Sequence, residues 1–172
     1  SGTGNESELT GQTSSLGNAS GMASGTNGLM SIAYRGEENI WGNIWKFTDG
    51  MNIYAYGIHD LYVSNYGFAD NIGTTPYQNV GITLAKTNGR VSAFGYNDEF
   101  DWLFMPSETL GNSTIPVGDN FFQDNTASSW LITRLGGGWY NAIEVGFFYW
   151  NVGTSPSVSG LGVGARLVYI KK

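Results

Sequence analysis

The densest group of ionisable side chains lies in Asn97-Asp98-Glu99-Phe100-Asp101. A carboxylate pair at such spacing can supply the general acid and base of a glycosidase, or oxygen donors to calcium. Asp98, Glu99 and Asp101 are therefore the candidates for a carbohydrate-active enzyme. A calcium site needs roughly six to eight oxygens, and the Asp-x-Asp-x-Asp-Gly spacing is missing. A solvated turn before a strand is the plainer reading. His59-Asp60 has the composition of a base and its orienting carboxylate, but the chain has no Gly-x-Ser-x-Gly elbow to supply a nucleophile. Cysteine is absent and histidine occurs once. This excludes disulfides, thiolate metal sites, a cysteine nucleophile and a multi-histidine metal site. Gly160-Leu161-Gly162-Val163-Gly164 is not G-x-G-x-x-G, and the eight residues after it are too few for a nucleotide-binding helix and second strand. No catalytic residue, metal or cofactor is expected.

Composition narrows the remaining classes. The 172 residues suit one domain with a real core. Charged residues are only 13%, aromatics reach 15% and there are 26 glycines, which excludes a helical bundle and, for most of the chain, disorder. The formal net charge of -6, with 8 scattered Lys and Arg, argues against nucleic acid as a partner. No apolar run approaches the roughly 20 residues of a membrane span, so membrane insertion is not expected.

The elements that must position any site read as short strands. Residues 1–28 are Gly, Ser, Thr and Asn with little to bury: a flexible linker, or a strap lying on the domain formed by residues 29–172. Leu29–Tyr34, Asn43–Phe47, Ile53–Tyr56 and Asp60–Ser64 are rich in aromatic and β-branched residues and predict strands. Thr48-Asp49-Gly50 predicts a turn between the second and third. Val80–Ala85 and Val91–Phe94 predict short strands around Asn88-Gly89. Ser129–Leu135, Val145–Asn151 and Leu161–Ile170 predict the strands of the last third. Helical turns are expected at 37–41 and Asp119–Asp124. The sum is an α+β domain, antiparallel-rich, with few helices and long loops.

The positive signal is compositional. Tyr, Trp, Ser, Gly and Asn dominate the last third, as they do in paratopes, where aromatic rings give contact area at low entropy cost. Trp139-Tyr140-Asn141-Ala142-Ile143-Glu144 followed by Phe147-Phe148-Tyr149-Trp150-Asn151 carries more aromatics than one core face buries. Strand alternation then leaves an aromatic pair outside. Such a pair marks an interaction site, or the interface of a homo-oligomer.

Two blocks carry a family resemblance. Tyr34-Arg35-Gly36-Glu37-Glu38-Asn39-Ile40-Trp41-Gly42-Asn43-Ile44-Trp45, running on to Asp49-Gly50-Met51-Asn52-Ile53, resembles a segment of phage and prophage structural proteins with a C-type-lectin-like fold. Arg134-Leu135-Gly136-Gly137-Gly138-Trp139, then Gly146-Phe147-Phe148-Tyr149-Trp150-Asn151 and Gly164-Ala165-Arg166-Leu167, resembles their terminus. Some members are the variable ligand-binding proteins of diversity-generating retroelements, in phages, bacteria and archaeal viruses. Their C-terminal segment, here about 130–166, is diversified and displayed. The fold is shared more distantly with formylglycine-generating enzymes, whose cysteines this chain lacks. The resemblance implies a receptor-binding display protein on a virion surface or outside the cell, with a protein or glycan ligand on a cell surface. The competing implication is a virion decoration or fibre module whose aromatic patch is buried in an oligomer. Within the match, Trp41, Trp45 and Trp139 are expected core residues, and Arg166 an ion-pair partner of a carboxylate such as Glu38. The ligand-contact candidates are Tyr140, Asn141, Ile143, Glu144, Phe148, Trp150, Val152 and Thr154.

Overall fold

A computed structural model describes residues 8–25, 30–115 and 117–165. Among them the secondary structure is strand with three short 3-10 turns, and no helix reaches seven residues. The fold is therefore all-β, which corrects the α+β expectation. The reason is local. At 37–41 the acidic residues do not start a helix: Arg35 and Gly36 both take positive φ, as a two-residue hairpin turn requires. That turn pairs Tyr34 with Glu37 and joins β2 (Met30–Tyr34) to β3 (Glu37–Glu38). At 119–124, Asn120–Phe122 forms a strand beside Trp150 and Asn151. No helix of the described residues is long and apolar enough to cross a membrane.

β1 (Gly21–Ser24) pairs antiparallel with β2, completing a three-stranded sheet. Ahead of it the chain lies as a strap across Glu38, whose carboxylate accepts from Gly11 N at 2.8 Å and from Thr13 N and Oγ1 at 2.6 Å each. Arg166, its expected ion-pair partner, lies outside the described residues.

The main sheet is built on β4 (Trp45–Tyr56) and β5 (His59–Val63), an antiparallel pair with β6 (Gln78–Asn79) at the edge beyond β5. On the other side of β4 come β11 (Ser128–Leu135), β12 (Trp150–Thr154), β10 (Asn120–Phe122) and β7 (Gly89–Arg90). β13 (Val163–Gly164) runs parallel to the start of β4. A separate hairpin joins β8 (Ala93–Gly95) to β9 (Met105–Glu108). One face of the sheet carries the core, with Ile53 and Ala55 from β4, Leu61 from β5, Leu131 from β11, Phe121 from β10 and Val152 from β12. Val80, Ile82 and Leu84 cover it from an extended segment tied to β5 by Val80 N donating to Leu61 O at 2.9 Å.

The expected turn at Thr48-Asp49-Gly50 is instead a bulge inside one long strand. β11 pairs Ile132 with Asn52 but Thr133 with Thr48, so three β4 residues have no partner across the ladder. Gly50 there has φ +77°, donates no side chain, and accepts Ser64 N through its carbonyl at 2.8 Å. A Cβ on Gly50 would overlap the Ser64 carbonyl. The bulge turns Asp49 outward to solvent.

The opposite face of β4 holds a polar and aromatic layer. Buried Asn52 donates through Nδ2 to Ala69 O at 2.6 Å and Ile72 O at 3.0 Å. Tyr77 Oη donates to Ala69 O at 2.8 Å and accepts from Ala69 N at 3.0 Å. These bonds fasten the loop of residues 64–77 to the sheet. Trp130 sits edge-on to Tyr54 and Tyr62, with Gly73 beneath the rings where a side chain would not fit.

Candidate functional site

The C-terminal segment leaves β11 through three buried glycines. Gly136 and Gly137 have φ +93° and +76°, open to glycine at little cost. A Cβ on Gly137 would stand 2.6 Å from Val145 Cγ1, and one on Gly136 would stand 3.1 Å from Ile40 O. These glycines thus let the chain approach the Ile40–Trp41 backbone and Val145. Backbone bonds complete the crossing: Gly42 N to Gly136 O, Gly136 N to Tyr149 O and Trp139 N to Asn43 O, each 2.9 Å.

Residues Trp139–Glu144 then form a 3-10 turn. Asn141 Oδ1 accepts Gly138 N at 2.9 Å, and Asn141 N donates to Gly138 O at 3.0 Å, so Asn141 fixes the turn rather than facing a ligand. Arg90 on β7 donates to Gly118 O and, at 3.1 Å, to Ile143 O. A guanidinium thereby holds the carbonyl end of the turn.

Val145–Asn151 is not one strand. The chain bends at Gly146, and β12 begins only at Trp150. The cause lies 27 residues upstream, in buried Asp119. Its Oδ2 accepts Phe148 N at 2.6 Å, and its carboxylate lies where a Cβ on Gly146 would be. Burial raises the Asp119 carboxyl above the ordinary range, partly offset by the Phe148 N–H and the Arg90 charge.

This backbone decides which candidates reach solvent. Ile143 is 77% exposed and Tyr140 55%, Tyr140 resting over Gly138 and Gly162 and edge-on to Trp139. Glu144 and Phe148 are half-buried. Trp150, Val152 and Thr154 are buried, which removes them from any contact surface. Trp150 packs in the core and donates from Nε1 to Phe104 O at 3.0 Å. Thr154 Oγ1 donates to Asn151 Oδ1 at 3.0 Å. Strand alternation leaves outside either Phe148 with Trp150 or Phe147 with Tyr149; the bend at Gly146 breaks both pairs, exposing Phe147 at 52% and burying Tyr149 and Trp150. Phe148 turns onto Phe94 at 5.3 Å and Phe104 at 6.2 Å between ring centroids. Phe104 is itself exposed, and Phe147 stands edge-on to Phe148. The β8–β9 hairpin thus adds two rings that nothing near residue 147 in sequence announces.

Beneath the surface lies an aromatic frame. Trp45 is buried, as expected, whereas Trp41 and Trp139 are only half-buried. Tyr149 meets Trp45 edge-on at 4.7 Å, and Arg134 lies 5.0 Å from the Trp45 ring centre. Burial pushes the Tyr149 phenol up to about 12, with the Glu144 charge acting the same way. Burial lowers the Arg134 pKa.

The other chemical candidates stand apart. Asp98, Glu99 and Asp101 are exposed around a 3-10 turn that Asn97 caps by accepting Glu99 N at 2.9 Å. His59 Nε2 lies 3.1 Å from Asp124 O. Among the described residues no three His, Cys, Asp or Glu side chains converge as metal ligands would. No protein-family model, curated protein or solved structure matches the chain.

Proposed function

We propose that the protein is a ligand-display domain of a virus or mobile element, placed on the virion surface or outside the cell. It binds a protein or glycan on a cell surface. One observation carries this reading: Tyr140, Ile143, Phe147 and Phe104 are exposed, while the backbone bearing the first three is fastened by Arg90, Asp119 and Asn141. Phe147 and Phe104 both stand against the Phe148 ring, and exposed apolar side chains gathered in this way mark interaction sites. Rigid support beneath them lowers the ordering cost of binding. The contact set therefore narrows to Tyr140 and Ile143 from the earlier candidates, joined by Phe147 and Phe104. Asn141, Trp150, Val152 and Thr154 serve the frame. No side chain performs covalent chemistry in this reading.

The resemblance of the Tyr34–Ile53 and Arg134–Asn151 blocks to variable proteins of diversity-generating retroelements adds a genetic expectation. The locus should carry a reverse transcriptase gene and an imperfect repeat of the codons for about 130–166. Sequencing the gene across its source population tests this. Differences should concentrate at codons 140, 143 and 147, and spare Gly136, Gly137, Gly138, Gly146 and Trp150. Differences spread evenly over exposed and buried codons would overturn the diversification. Sedimentation showing a stable oligomer that covers Phe147 and Phe104 would favour a virion structural module instead.

A further inference from the structure

A second recess, of about 510 Å³, shares no residue with the surface just described. That volume is within the range of small-ligand sites. Its rim carries Asp49 and Glu99, and its lining contains no Lys, Arg or His. Asp49 arrives on the β4 bulge, and Glu99 on the turn that Asn97 caps. Neither carboxylate makes a hydrogen bond or ion pair among the described residues. Two further rim residues, Tyr66 and Trp102, are exposed aromatics. Tyr66 is held by its own backbone, its N–H donating to Ser64 Oγ at 3.3 Å and its carbonyl accepting from Ser64 Oγ at 2.7 Å. Leu103 N donates to Phe100 O at 2.9 Å, closing the turn that carries Trp102. Buried Phe100 and Tyr77 also line the recess.

From this combination we infer that the recess binds an alkylammonium group, the side-chain amine of a lysine or a methylated amine. A cation over the face of Trp or Tyr is attracted by the ring quadrupole, and most strongly where water is excluded. Two carboxylates without a cation of their own supply the opposite charge. Anionic ligands are repelled by the same pair, on a chain of net charge -6. A neutral ligand of equal shape keeps the apolar contact with the rings and loses the electrostatic attraction of both features. The inference does not depend on the display reading, because the two surfaces are built from different residues.

The test uses choline, N-acetyl-lysine amide and its trimethylated form, with 3,3-dimethylbutanol as the uncharged match to choline. The readout is the Trp102 indole N–H resonance in the full chain. The cations should shift it saturably, and the alcohol should reach the same shift only at about tenfold higher concentration. The double variant D49N/E99Q should weaken binding about tenfold, since two exposed carboxylate–ammonium pairs contribute up to about 1 kcal/mol each. Trp102→Ala, at an exposed position, removes this reporter, so its expected loss of binding is read by titration calorimetry with choline, with the melt unchanged. Equal binding of the alcohol, saturation by neutral saccharides but not by the cations, or no saturable shift with any cation would each overturn the inference.

Discussion

Asp119 offers the sharpest perturbation, because one buried carboxylate bends the chain that carries Phe147. Truncation in Asp119→Ala leaves Phe148 N–H without its 2.6 Å acceptor, and a buried donor left unpaired costs about 1–3 kcal/mol. Asp119→Asn keeps an acceptor and removes the charge. The two variants therefore separate geometry from ionisation. Burial raises the native carboxyl above its ordinary value, so the folded state keeps a proton that the unfolded chain has already released. The slope of unfolding free energy with pH follows protons bound in the unfolded state minus those in the native state, here negative. The wild type should lose stability, relative to Asp119→Asn, as pH rises from the ordinary carboxylate value through the raised one. The steepest slope one group can give is about 1.4 kcal/mol per pH unit. Above that window the difference should be level. Urea unfolding of both proteins from pH 3.5 to 7 measures it. A wild type that gains on Asp119→Asn with rising pH would refute the reasoning. It would mean that Arg90 and the Phe148 N–H outweigh desolvation.

Tyr149 predicts a second pH effect of the same sign. Its phenol rises from an ordinary 10 to about 12 in the fold, so stability should fall between those values by up to about 2–3 kcal/mol, and Tyr149→Phe should flatten the loss. Gly50→Ala should destabilise by more than about 1 kcal/mol, since φ is positive and the new Cβ overlaps the Ser64 carbonyl. It should also weaken any ligand of the Asp49 recess, measured by the same indole resonance. Phe121→Ala should cost about 3–5 kcal/mol by equilibrium unfolding, because the ring is fully buried in the core.

Sequence reading succeeded where the deciding forces were local. Ser129–Leu135 carries the strand formers Trp130, Ile132 and Thr133, and it forms β11 within a residue of that span. Tyr140 and Ile143, two of the contact candidates, do reach solvent. Reading failed where distant groups decide. Phe147-Phe148-Tyr149-Trp150 has strand propensity throughout, and only Asp119 shows why the chain turns at Gly146. A glycine in front of the aromatic run was the one signal available. Gly50 looked like a turn residue because nothing nearby reveals that Ser64 leaves no room for a side chain. Phe104 and Phe94 come to Phe148 through the β8–β9 hairpin, at separations of more than 40 residues that no spacing rule covers. The α+β expectation rested on helical turns at 37–41 and Asp119–Asp124. The hairpin turn at Arg35-Gly36 and the pairing of Phe121 with Trp150 outweighed those preferences.

The separation of a contact surface from the frame that holds it is tested most directly by one paired measurement. A variant with Tyr140, Ile143, Phe147 and Phe104 all changed to Ser is compared with the wild type in a thermal melt and in binding to host cells. Exposed positions change stability by about 0.5 kcal/mol or less each, so the melt should stay cooperative and shift little. Binding should fall by about a hundredfold or more, since buried aromatic anchors at interfaces contribute about 2 kcal/mol or more apiece. A collapsed melt, or an intact variant that binds as tightly as the wild type, would contradict the account.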